Sequence, residues 1–104
     1  MALGLPAYHQ EKRKHGLANK AACEEIVKAA IKELPWIEIG YIKEAFDYRS
    51  LGSILTFAER ILVYVGETEI LVKSSCLFPG QFIDFGKNKR NVHDFFQTFE
   101  RLKQ

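Results

Sequence analysis

The residues most able to do chemistry lie in one stretch, Lys73 to Asn91. Lys73, Ser74 and Ser75 close an apolar run, Pro79-Gly80 marks a turn, and Asp84, Lys87, Asn88 and Arg90 precede a second apolar run. This is the composition of a polar strand-to-helix junction. Backbone N–H groups at a helix start, beside Lys87, Lys89 and Arg90, form a natural anion site, and Lys73, Ser74 and Ser75 supply a second wall. The candidate binding set is therefore Lys73, Ser74, Ser75, Asp84, Lys87, Asn88 and Arg90. The same residue types also have a purely backbone role. Gly86 supplies a positive φ, Asp84 accepts from following N–H groups, and Asn88 caps the helix.

Other chemistry is poorly supported. Cys76 and His93 are the only pair that suggests a nucleophile and base, and no local motif accompanies them. His9, His15 and His93 have no metal-ligand spacing, and Cys23 and Cys76 fit neither a zinc nor a redox pattern. Phosphate-binding and dinucleotide glycine signatures are absent from the sequence. The expectation is a non-enzymatic binding or interaction module without metal or cofactor. A single-stranded nucleic-acid binder using residues 87–90 and the basic N-terminal segment is the alternative. A Cys/His enzyme is the remote one.

The elements that would hold the junction follow from periodicity. Asn19 reads as an N-cap, and apolar positions 23, 26, 27, 30, 31 and 34 predict a helix ended by Pro35. Trp36–Ile42 predicts a strand with Ile37, Ile39 and Tyr41 on one face. Residues 43–49 fit a continued strand, a second strand or a helical turn. Ile54–Phe57, Arg60–Val65 and Ile70–Ser74 predict a meander, and Arg60–Val65, apolar on both faces, belongs at its centre. Beginning near Asn88 or Asn91, a last helix carries Val92, Phe95, Phe96, Phe99 and Leu102 on one stripe. The fold class is α+β: an antiparallel meander sheet of about four or five strands packed by an N-terminal and a C-terminal helix.

Residues 1–18 read as a basic surface arm and 19–104 as one α+β domain. The net charge of +2 is too small to demand a polyanionic partner, and it is distributed as +3 over residues 1–20, −4 over 21–69 and +3 over 70–104. Such asymmetry suits self-association or a protein partner. The sequence has no apolar run of membrane-spanning length and no secretory pattern at residue 1, so the expected setting is cytoplasmic, with free thiols.

Three short pieces carry a family resemblance: Phe57-Ala-Glu-Arg-Ile-Leu-Val63, Lys73-Ser74-Ser75 and Asp84-Phe-Gly-Lys-Asn-Lys-Arg90. Residues 54–99 thereby resemble a bacterial family known as domain of unknown function 1499. Arg60 stands where that pattern has a second acid, Lys73 where it has arginine, and Asn91 where it favours arginine. The resemblance implies a small domain of similar layout and assigns no reaction.

Overall fold

A computed structural model describes residues 8–50, 59–76 and 86–104. Five strands and two helices run in the order β1 (Tyr8–Lys14), α1 (Lys20–Lys32), β2 (Trp36–Ile42), β3 (Ala45–Ser50), β4 (Glu59–Val65), β5 (Glu69–Cys76) and α2 (Lys87–Leu102). The strands form one antiparallel sheet in the order β1-β5-β4-β3-β2, so β2 to β5 are a meander and β1 closes the far edge. The α+β class and the central position of β4 agree with the sequence pattern. The expected strand at Ile54–Phe57, the Pro79-Gly80 turn and Asp84 lie outside the described residues.

Asn19 starts α1 as expected: its backbone is extended and its Oδ1 accepts from Ala22 N–H at 2.9 Å. Cys23, Val27 and Ala30 then recur on the buried face. Gly86 begins α2 at φ 79°, a left-handed conformation that suits glycine. Asn88 is therefore inside the helix, not its cap, and its side chain is buried. Val92, Phe95, Phe96 and Phe99 face the sheet and are buried, with Leu102 half-buried beside them. Burying each such side chain is worth about 1.5–3 kcal/mol, which makes α2 the main clamp on the sheet.

Two further departures have local causes. Part of the segment read as an arm, Tyr8–Lys14, is strand β1, paired with β5 from Tyr8↔Ser75 to Lys14↔Glu69. Its alternation is between charged residues: Arg13 turns inward, with its guanidinium 4.2 Å from the centre of the Phe96 ring, while Lys12 pairs with Leu71 on the other face. Residues 43–49 are a two-residue hairpin followed by β3. Lys43 and Glu44 both adopt positive φ, 51° and 66°, as a type I′ turn requires.

Both helices cover the same sheet face. The α2 helix lies against β1 and β5, and α1 reaches β4. Trp36, at the start of β2, stacks near-parallel with Phe95 at 6.3 Å and also contacts Tyr48. Beyond it β2 overhangs the helical layer, and its extensive contact among the described residues is with β3 alone.

Candidate functional site

Strand alternation first separates the residues expected to converge. Ser74 is buried on the helix face of β5, while Lys73 and Ser75 point to the open face. Lys73 Nζ sits 5.9 Å over the Tyr8 ring, and Ser75 is in register with Arg60 and Tyr8. Lys73 and Ser75 therefore cannot line a site at the start of α2, because the sheet lies between them.

What the junction builds is a buried polar chain. Ser50 Oγ donates to Glu59 Oε1 at 2.6 Å and accepts from Glu59 N–H at 2.9 Å. Asn91 Nδ2 donates to the same Glu59 Oε1 at 2.9 Å and to Ser74 Oγ at 3.2 Å. Ser74 Oγ donates to Asn88 Oδ1 at 2.7 Å, and Asn88 Nδ2 donates to Cys76 Sγ at 3.4 Å. Ser50, Glu59, Ser74, Asn88 and Asn91 are all buried. One connected set thus ties β3, β4 and β5 to the first turns of α2, as buried polar atoms demand. Ser74 and Asn88 were among the residues expected to bind a ligand, whereas Ser50, Glu59 and Asn91 were not singled out for a site. The available signal was Asn88 and Asn91 three apart on a helix, which places both side chains on one face.

Lys87 and Arg90 remain accessible beside this chain. With Leu34, Pro35, Trp36, Ser50, Asn91 and Asp94 they line a cleft of about 150 Å³ at the α2 start. Two cations and a helix N-terminus favour an anion there, and the Asp94 carboxylate opposes it. His93 offers no partner for Cys76. Five residues of helix rotate it about 140° from Asn88, whose amide faces Cys76, and His93 is exposed. Among the described residues no group of three or more His, Cys, Asp or Glu side chains is placed to hold a metal ion.

The basic segments also separate. Lys12 and Lys14 lie on the open sheet face, in register with Leu71 and Glu69, whereas Lys87, Lys89 and Arg90 belong to α2 behind the other face. On the open face Asp47 pairs with both Arg49 and Arg60, which reduces the positive field. Phe95 and Phe96, rings that base stacking near residues 87–90 would need exposed, are in the core, as their place on the apolar stripe predicts. Phe82 and Phe85 lie outside the described residues.

Two buried groups have perturbed acidities. Burial pushes the Cys23 thiol up to about 11, with Glu24 adding to the rise and Lys103 opposing it. Burial also raises the Tyr48 phenol, helped by Glu38. Neither group shows the activated state of a nucleophile. His15 is fully buried and structural: Nε2 donates to Gly66 O at 3.0 Å and Nδ1 accepts from Leu17 N–H at 3.0 Å. Those bonds fix a single tautomer and hold the β4–β5 turn against the start of α1.

Among the described residues, the largest group of exposed apolar side chains is on the β2 edge. Ile37, Ile39, Tyr41 and Ile42 are 48%, 54%, 52% and 49% exposed. Ile37, Ile39 and Tyr41 do not share one face as the simple alternation predicted. The pairing shifts between Glu38 and Gly40, leaving Ile37 and Ile42 on the open face and Tyr41 on the helix face over Phe46. Both faces of the edge are thus apolar, and on the helix side a groove of about 580 Å³ runs beside Glu38 and Tyr48 under α1.

No family model, curated protein or solved structure matches this chain. Among the described residues, no helix is long and apolar enough to cross a membrane.

Proposed function

We propose that this domain is a non-catalytic interaction module that docks an extended segment along the β2 edge. The observation carrying the proposal is that edge itself: seven residues long, unpaired on its outer side among the described residues, with four large apolar side chains about half exposed. An edge strand offers a row of unused N–H and C=O groups, and folds normally blunt it with charge, proline or cover. Here Glu38 is the only charged residue between Trp36 and Ile42. Strand addition would take main-chain hydrogen bonds from that row and side-chain selectivity from Ile37, Ile39, Tyr41 and Ile42.

Peptide-display selection on the immobilised domain tests the proposal. Enriched sequences should alternate apolar residues, and their binding should be lost when Ile39 and Tyr41 are both changed to lysine. Enriched peptides that bind this variant unchanged, or no enrichment at all, would remove the edge as a docking element.

A second reading is favoured by the Lys87–Arg90 cleft, which suits a small anion better than a polynucleotide. It predicts weak sulfate or phosphate binding that charge reversal at both Lys87 and Arg90 abolishes. Unchanged anion affinity in that variant would eliminate it.

A further inference from the structure

Resting on the reading of β2 as a docking edge, we propose that its occupant is a second copy of this chain, paired β2 to β2 about a two-fold axis with Ile37 of each copy opposite Ile42 of the other. The argument begins with which way each side chain points. On the helix side are Trp36, Glu38 and Tyr41, in register with Ser50, Tyr48 and Phe46. On the open side are Ile37, Gly40 and Ile42, in register with Arg49, Asp47 and Ala45.

Opposed residues of an antiparallel pair must share a face, and a slip of one residue sets one face against the other. Placing Ile37 opposite Ile42 also places Glu38 opposite Tyr41 and Ile39 opposite Gly40. The first two of these pairs match in face, and the shift at residues 38–40 falls at the symmetry axis in both copies. Moving the register by one sets Ile37 of the open face against Tyr41 of the helix face. The irregularity that spoils simple alternation within β2 thus makes the strand self-complementary in this register.

Side-chain chemistry agrees. The Ile37–Ile42 pair occurs twice, once on each side of the axis, and branched cross-strand pairs stabilise sheets. Glu38 faces a tyrosine hydroxyl, with Lys43 of the same opposing strand two positions further on. No like charges are directly opposed, so the charge pattern is complementary to itself. Beside Ile42 on the open face is a hollow of about 200 Å³ lined by Ile42, Lys43, Arg60, Leu62 and Tyr64, next to the small side chain of Ala45. An incoming Ile37 at the Ile42 position covers its rim. Among the described residues the result is a continuous sheet of ten strands whose outer edges are the charged β1 strands.

The test is sedimentation of the full chain over a concentration series, with a register-specific complementation. The wild type should approach twice the 12.0 kDa chain mass as concentration rises. Ile37→Lys and Ile42→Glu should each weaken association at least tenfold while leaving the circular dichroism unchanged, because both side chains are about half exposed. Mixed one to one, the two variants should recover association. The mixed pair sets the introduced lysine opposite the introduced glutamate on one side of the axis and keeps a native Ile37–Ile42 contact on the other. A mixture no tighter than either variant alone overturns the register and the proposal. A wild type that remains monomeric yet binds selected peptides through β2 overturns the second copy and leaves the docking edge standing. A monomer without β2-dependent peptide binding overturns both.

Discussion

Asn91→Ala removes the donor that joins Glu59 to Ser74. Two hydrogen bonds disappear, at 2.9 and 3.2 Å, and among the described residues Glu59 Oε1 keeps Ser50 Oγ as its side-chain donor. A lost hydrogen bond between neutral groups costs about 0.5–1.5 kcal/mol and one to a carboxyl oxygen about 1.5–3 kcal/mol, with Ser50 and Asn88 still pairing the atoms left behind. The expected loss is therefore about 2–4 kcal/mol, read as a lower urea midpoint with unchanged slope. For a domain this size it corresponds to a fall in Tm of about 10–25 °C. Because the residues share one network, the Asn91→Ala and Glu59→Ala effects should not add; their coupling in a double-mutant cycle should be about 1–2 kcal/mol. An Asn91→Ala cost under about 0.5 kcal/mol, with no coupling, would refute the view that this polar chain fixes α2 on the sheet.

Three further outcomes are expected. Replacing Lys43-Glu44 by Asn-Gly should stabilise the domain by about 1 kcal/mol, since both positions have positive φ; destabilisation would contradict a type I′ turn there. Because burial raises the Cys23 pKa from 9.0 to about 11, its contribution to stability is present below about pH 9 and lost as pH rises towards 11. Denaturation measured across that window should show a slope that Cys23→Ala reduces but does not abolish, because the raised Tyr48 pKa remains. His15→Ala should cost about 1–3 kcal/mol by unpairing Gly66 O and Leu17 N–H, and hydrogen exchange should speed first at the β4–β5 turn.

The helices were legible because a buried stripe repeats every three or four residues and few other arrangements bury Phe95, Phe96 and Phe99 together. The central strand was legible because its apolar residues fall on both faces, a pattern that suits a strand flanked by neighbours on both sides. Strand β1 was hidden: His9-Gln-Glu-Lys-Arg-Lys14 has the polarity of a solvated arm, and only pairing with β5 makes it a strand. The Lys43-Glu44 hairpin lacks the Asn-Gly or Asp-Gly that usually announces such a turn. At the candidate site, Ser74 and Asn88 do meet, but as buried partners of each other and not as the lining of an open site. Period-two alternation should already have separated Lys73 and Ser75 from them. Glu59 and Asn91 were missed because acidic and amide side chains usually face water, and their burial becomes favourable only when three strands and a helix supply partners at once.

The position of Trp36 has an experimental consequence. This is the chain's only indole, half-buried against Phe95 and Tyr48 where the overhanging strand leaves the helical layer. Its emission therefore reports on the root of the exposed edge without an added label. A blue shift on raising concentration or adding peptide would follow drying of that root, whereas quenching by acrylamide would measure how often it lifts away from Phe95.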